Sequence, residues 1–295
     1  MATTEPLKFP QQQRLLFVES MVLWEGGVQR QRVCDLFGVS KGQVTRDLED
    51  YNRLSPRNIE YDLSAKTYRA GINFKPEFAS GRADEYLALL AAYAQSGSTV
   101  VIPALGAGPS AVLVPPAPAA IERAVLQRVR GAIRDGHGLQ ANYLDWAEEK
   151  GGKRRLWPHA LVFTGARWHA RAYDEHRGRF GDLALSRLSA AEPLEVPGPV
   201  PAKEDSTWHS LETVEIVPAS TLSVYQQQIV AKDHGMKRQG QTWVWSAKLR
   251  RCLVPYFLAR YRLEPGDDAR RHARLALLHP ERFRAGKLAI ECDPD

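Results

Sequence analysis

RWHARAYD, residues 167–174, is the stretch that decides how the middle of this chain is read. Side chains on a strand alternate between faces, so Trp168, Ala170 and Ala172 fall on one side and Arg167, His169, Arg171 and Tyr173 on the other. The first side is apolar, as a face packed on a core would be. The second is a row of cations and aromatic rings with no acidic or aliphatic residue in it. A guanidinium offers a planar fork that matches phosphate, and a tyrosine or histidine ring offers a surface on which a base stacks. The plain reading of such a row is a polar strand face whose arginines are only solvated.

The flanks extend the sheet. AIERAVLQRVRGAIRDG is a helix, followed by GLQANYLDW, KRRLWPHALVFTG, RWHARAYD and RFGDLALSRLSA. These four strand-like segments, broken by AEEKGG, TGA and EHRG, read as an antiparallel meander forming a small barrel. Tyr143, His159, Ser186 and Arg187 come from strands neighbouring the row.

Two stretches bracket this middle module. Residues 96–118, SGSTVVIPALGAGPSAVLVPPAP, and residues 191–203, AEPLEVPGPVPAK, carry a proline every few residues. Proline donates no ladder hydrogen bond and disfavours helix before it, so both read as extended connections. LGAGPS lacks the third glycine and the preceding strand of a dinucleotide fingerprint and belongs to the first linker.

Before the first linker, residues 13–24 form an amphipathic stretch closed by Gly26 and Gly27. Val33, Leu36 and Phe37 then recur at helical spacing until Gly38 breaks the run. Ser40 is a favoured N-cap, and Gln43 three residues on is placed to complete a capping box. Val44, Leu48 and Tyr51 bury one face of the restarted helix. Lys41, Gln43, Thr45, Arg46 and Glu49 are left for solvent or a partner. NIEYDLSAKTYRAG alternates around Ser64, Ala65 and Lys66 as a hairpin does. Helix, glycine turn, capped helix and hairpin is the order of a winged helix-turn-helix, against a plain helical hairpin as the alternative. Its DNA face would be Ser40, Lys41, Gln43, Thr45 and Arg46 on the helix with Lys66, Tyr68 and Arg69 on the wing. Charge lends little support: residues 28–69 hold eight Lys and Arg against six Asp and Glu.

After the second linker, Leu222, Tyr225 and Ile229 share a helical face that Gly235 ends. Leu249, Leu253, Tyr256, Phe257 and Tyr261 then read as the core stripe of a further helix, with Arg250, Arg251, Arg260 and Arg262 around it.

Tyr143, WPHAL, RWHARAYD and LSRL together resemble the WYL domain, a small Sm-like barrel of bacterial regulators. Trp168 is kept, while His169 and Ala170 stand where the family has Tyr and Leu. Basic and aromatic residues on exposed strand faces form a ligand pocket in that family, so the resemblance implies an anion site at Arg167, His169, Arg171 and Tyr173, completed by Tyr143, His159, Ser186 and Arg187. VSKGQVTRDL is similar to the recognition-helix start of bacterial winged-helix repressors. Winged helix, WYL domain and C-terminal module in that order resemble the CapW/BrxR group of WYL regulators. The fold class so implied is α+β multidomain. A winged helix-turn-helix occupies residues 1–95, a linker 96–120, a WYL ligand-sensing domain 121–190, a linker 191–204 and an α/β dimerisation module 205–295. The resemblance further implies a homodimeric repressor of an anti-phage operon that binds a palindromic operator and senses a nucleic-acid or nucleotide ligand.

Composition leaves room for this. The chain has 295 residues, 44% of them hydrophobic, and 40 Lys and Arg against 34 Asp and Glu for a net charge of +6. At ~150 residues per domain that length suggests two or three domains, and the mild basic balance suits an anionic partner. Cys34, Cys252 and Cys292 lie far apart, and neither paired cysteines nor HExxH is present, so no metal or other cofactor is expected. The N-terminus shows no signal pattern and no apolar run suits a membrane span, so a cytoplasmic protein is expected. Asp145, Glu148 and Glu149 are the nearest thing to a catalytic carboxylate cluster, and beside Lys150 they read as a solvated turn. An enzyme acting on nucleic acid and a non-DNA-binding adaptor are the alternatives to the repressor.

Overall fold

The structure, a computed structural model, describes residues 7–96, 120–146, 151–263 and 274–283. Nearly all of the first expected linker, together with Glu148, Glu149 and Cys292, falls outside the described residues. The chain divides into two compact units, Met1–Pro115 and Pro116–Asp295.

The first unit runs α1 (Phe9–Glu25), α2 (Arg30–Phe37), α3 (Lys41–Leu54), β1 (Ile59–Asp62), β2 (Thr67–Ala70) and α4 (Ala83–Ser96). Helix α1 starts earlier than its apolar pattern because Pro10 in the first turn loses no hydrogen bond there. Gly38, with φ of 64°, ends α2 and turns the chain directly into α3. Ser40 Oγ accepts the Gln43 backbone N–H at 3.2 Å. The expected capping box is only half made: Gln43 Oε1, which would accept the Ser40 N–H, accepts Arg46 Nη2 instead, while Nε2 donates to Asp47 Oδ1. Phe17, Val18, Met21, Val22, Val28, Val33, Val44 and Leu48 form the core, with Ile59 and Tyr68 of the wing packed on it. Gly27 lets the chain pass under the wing: a Cβ there would lie 2.6 Å from Thr67 Cγ2.

Two buried polar ties hold the helices in place. Arg14 on α1 grips Asp47 on α3 through Nε at 2.6 Å and Nη2 at 3.2 Å. Glu19 accepts the Tyr51 hydroxyl at 2.6 Å and the backbone N–H groups of Glu77, Phe78 and Ala79 at 2.7, 2.8 and 2.7 Å. Burial and this carboxylate together push the Tyr51 hydroxyl pKa upward.

In the second unit, α5 (Arg123–Asp135) precedes β3 (His137–Tyr143), β4 (Gly152–Phe163), β5 (Trp168–Asp174), β6 (Arg179–Ala184) and β7 (Leu188–Pro197). The strands are antiparallel in the order β6-β5-β4-β3-β7. Five strands replace the expected four because a 3-10 turn, Leu185–Arg187, splits RFGDLALSRLSA. The second half crosses to pair with β3 as far as Pro197, so half of the expected second linker is laddered strand. Among the described residues no ladder joins β6 to β7, so the described sheet is open. Val125, Val129 and Ala132 of α5 close its core against Leu139, Tyr143, Leu156, Ala170, Ala172 and Leu183.

The chain continues as α6 (Ser206–His209), β8 (Leu211–Pro218), α7 (Val224–Asp233), β9 (Lys237–Gln239), β10 (Thr242–Arg250), α8 (Val254–Arg260) and β11 (Leu275–Leu277). The sheet order is β11-β8-β10-β9. The helix expected to carry Leu249 starts only at Val254. Leu249 belongs to β10, and Pro255 sits in the first turn of α8, the place in a helix where proline is tolerated. Helix α7 stands where the spacing puts it, but Val230 and Ala231 face the core with Val214, Ile216 and Leu258, not Tyr225 and Ile229. Among the described residues no helix is long and apolar enough to cross a membrane.

The Glu19 cluster makes a stability prediction. Replacing Glu19 with alanine strands a hydroxyl and three backbone donors. At roughly 1 to 3 kcal/mol for a buried unsatisfied group, urea unfolding should show a loss of at least about 3 kcal/mol in the first unit.

Candidate functional site

The exposed start of α3 follows from its anchoring. With Val44, Asp47, Leu48 and Tyr51 turned inward, Lys41 and Arg46 are exposed and Gln43 and Thr45 half-buried. A relay of polar contacts orients this face. Arg46 Nη2 donates to Gln43 Oε1 at 2.9 Å, Gln43 Nε2 to Asp47 Oδ1 at 3.0 Å, and Asp47 is held by Arg14. Thr45 Oγ1 donates back to the Lys41 carbonyl at 2.9 Å.

The wing presents its expected residues unequally. Lys66 is exposed at the hairpin turn with φ of 49°. Arg69, also exposed, lies 3.4 Å from Asp62 across the hairpin. Tyr68 is half-buried. Its ring lies 4.8 Å from that of Tyr61 at a tilt of 54°, and its hydroxyl accepts Arg30 Nη2 at 2.7 Å, so Arg30 is a wing neighbour that sequence spacing did not reveal.

The row on β5 departs from expectation. Arg171 is 0% exposed and His169 is buried as well, because the segment leading into α6 covers that face. Arg171 donates through Nε and Nη2 to the two oxygens of Asp205 at 2.7 and 2.8 Å, and through Nη2 to Thr207 Oγ1 at 2.7 Å. Its Nη1 lies 3.4 Å from Asp182 Oδ1 on β6. His159 Nε2 stands 3.0 Å from Asp205 Oδ2. The Asp205 carboxylate also accepts the Trp208 backbone N–H at 3.1 Å, capping α6. The His169 ring lies 5.5 Å from the Tyr256 ring of α8.

Electrostatics follow from this geometry. Burial opposes charge on Asp205, but the hydrogen bonds from Arg171 and His159 outweigh it and hold the carboxyl well below the usual range. Burial likewise opposes the charge on Arg171, and the paired carboxylates reverse the balance and raise its pKa. Asp182 goes the other way: burial raises it despite the nearby guanidinium. Burial also pushes the Cys252 thiol up to about 12.

The other expected members scatter. Tyr173 is half-buried between Trp157 and Phe180, with ring centroids 6.5 and 5.4 Å away. Arg167 and Arg187 are half-buried and Ser186 is exposed. Tyr143 is a core residue, 1% exposed, and faces the α5 side of the sheet. Asp145 is no solvated carboxylate: it is buried and paired with Arg154 at 2.9 Å and Arg177 at 2.6 Å. Among the described residues no group of three or more His, Cys, Asp or Glu is placed to hold a metal ion. Asp205 was the residue missed. Its signal was present, since Asp before Ser-Thr-Trp is an N-cap pattern.

Replacing Asp205 with asparagine should cost about 3 to 5 kcal/mol at neutral pH, the range for breaking a buried ion pair. A carboxyl depressed in the folded state contributes stability that is present above its unfolded pKa of ~3.9 and lost as pH falls toward the folded value. The gap between wild type and variant in urea unfolding should therefore be constant above about pH 5 and narrow steadily below about pH 4.

Comparison with known proteins agrees with this architecture. Residues 10–92 match the BrxR transcriptional regulator winged helix-turn-helix domain, 124–193 the WYL domain, and 211–283 the BrxR transcriptional regulator C-terminal dimerization domain. The DNA-binding transcriptional repressor CapW of Escherichia coli (strain KTE188) is 30% identical over 229 residues, 78% of this chain and 76% of that one. Its namesake in Pseudomonas aeruginosa is 29% identical over 279 residues, 94% and 92% of the two chains. That of Stenotrophomonas maltophilia is 32% identical over 230 residues, 78% and 77%. With the same three domains in the same order and this identity along most of both chains, the protein belongs to the CapW/BrxR family of WYL-domain transcriptional regulators.

Proposed function

We propose that the chain is a homodimeric, autoregulatory repressor of an anti-phage defence operon, acting in the cytoplasm and without catalysis. Residues 1–95 bind a palindromic operator, 121–190 sense a nucleic-acid or nucleotide ligand through a WYL sheet of the Sm-like barrel class, and 205–295 dimerise. Residues 96–120 and 191–204 connect them. The observation that carries this reading is the first exposed turn of α3, rigidly backed by the Arg14–Asp47 pair. Lys41, Gln43, Thr45 and Arg46 enter the major groove while Ser40 caps the helix. Lys66, Tyr68 and Arg69 follow the flanking backbone. The two recognition helices of such a dimer meet half-sites ~34 Å apart or a multiple of that.

The ligand reading has to respect the burial of Arg171. Its fork is filled by Asp205, so the accessible part of the row is Arg167 and Tyr173, with Ser186 and Arg187 on the neighbouring turn. His159, His169 and Arg171 form the floor of the site, and Tyr143 supports it from the core. Arg167 and Tyr173, at opposite ends of this stretch, suit a single-stranded oligonucleotide, which offers phosphate and base at successive positions.

Two experiments test this. A gel shift with DNA upstream of the protein's own reading frame should show retardation. The double variant Thr45→Ala, Arg46→Ala should lose tenfold to a hundredfold in affinity, roughly the 1.5 to 3 kcal/mol of a charge-assisted contact, with an unchanged circular dichroism spectrum. Wild-type affinity in that variant removes α3 from the interface.

The second concerns the ligand. A ligand shifts a two-state equilibrium only through differential affinity for the states. Arg167→Ala with Tyr173→Ala should therefore keep operator affinity near wild type and lose induction of a promoter reporter by phage or DNA damage. Full induction leaves the repressor and discards this surface as the sensor.

A further inference from the structure

Helix α7 is apolar on two opposite sides, and the fold covers one. Its start is sharply set: Ser223 Oγ accepts the Gln226 N–H at 3.3 Å while Gln226 Oε1 accepts the Ser223 N–H at 3.0 Å, a complete capping box. That anchoring settles which residues point where. Val230 and Ala231 face the core of the C-terminal sheet. At 3.6 residues per turn, Tyr225 and Ile229 lie about 40° apart and about 170° round from the midpoint of that buried pair. They are 73% and 45% exposed. A helix hydrophobic on both sides is built to be covered on both sides.

The charge pattern says what kind of surface covers the second side. A quarter of the chain is Asp, Glu, Lys or Arg, yet residues 216–231 contain none of these. Along the outer face the polar positions are glutamines, Gln226 and Gln228, and the first charge is Lys232 at the far end. Depletion of charge around exposed aromatic and aliphatic side chains marks the core of a protein contact, not a nucleic-acid or solvated face. The neutral first two turns of this face meet a copy of themselves without repulsion, which a two-fold contact requires because the same patch supplies both sides, and Lys232 joins the face only in the last turn. The helix lies inside residues 211–283, the stretch that matches a dimerization domain.

We propose that the outer face of α7, centred on Tyr225 and Ile229, packs on the same face of a second copy of this chain. The inference rests on the homodimer reading above and adds the surface that makes the dimer. Tyr225 is the anchor: a large ring with a polar tip, of the type that carries binding energy at the centre of interfaces.

Sedimentation equilibrium of the full chain tests it. Wild type should be dimeric at micromolar concentration. Tyr225→Glu and Ile229→Glu, each placing like charges across the two-fold, should raise the dissociation constant by about a hundredfold or more, with circular dichroism and thermal midpoint of the monomer unchanged because both positions are exposed. If a glutamate variant misfolds, Tyr225→Ala with Ile229→Ala reads the same contact, and the dissociation constant should rise at least about tenfold. Variants as dimeric as wild type overturn the α7 contact and leave the repressor reading standing. A wild-type monomer overturns both.

Discussion

The guanidinium of Arg171 has no route to water, and the second unit is arranged around that fact. A buried cation is tolerable only where carboxylates meet it with good geometry and the remaining donors are satisfied. Asp205 supplies a two-oxygen grip, Thr207 a hydroxyl and Asp182 a second negative group behind. Those partners come from two different parts of the chain. Asp182 is on the neighbouring strand of the WYL sheet, whereas Asp205 and Thr207 belong to the segment that opens the C-terminal module. One side chain therefore fixes where the C-terminal module begins relative to the WYL sheet, and the N-cap role of Asp205 passes that constraint into α6.

The first unit uses the same device on a smaller scale. Arg14 buried against Asp47 locks α3 to α1, and Asp47 in turn holds Gln43, which holds Arg46. The core thus orders a surface residue through a chain of hydrogen bonds, which holds the exposed face of α3 in place at little entropic cost. Glu19 does the equivalent for the loop that follows the wing, since three consecutive backbone N–H groups would otherwise be buried without acceptors.

Periodicity made much of this legible beforehand. Val44, Leu48 and Tyr51 are buried as their spacing requires, Gly38 takes the left-handed turn, and Ser40 caps α3. RWHARAYD is a strand with Ala170 and Ala172 in the core. The errors share one cause. Alternation separates two faces of a strand but does not reveal that both are covered, so Arg171 and His169 read as exposed. Helical spacing finds an apolar stripe but not which of two stripes meets the sheet: Leu222, Tyr225 and Ile229 mark the helix, while Val230 and Ala231 face the core. A helix and a strand joined end to end share an apolar register across the junction, so Leu249 was taken into α8.

What the amino-acid sequence alone determined is local and one-dimensional: helix starts and stops, the wing hairpin, the strand character of the meander, and the domain order that its motifs resemble. These follow from capping chemistry, glycine conformations and hydrophobic period, each of which acts over a few residues. What only the tertiary structure decided is partnership at a distance. Asp205 is 34 positions from Arg171 and Asp47 is 33 from Arg14, and no local rule pairs them. Burial is a property of what lies on top of a residue, and the chain that covers Arg171 arrives from another element. Whether Arg171 faces solvent or its own protein is decided by that covering segment, which sets the Asp205 carboxylate on its guanidinium.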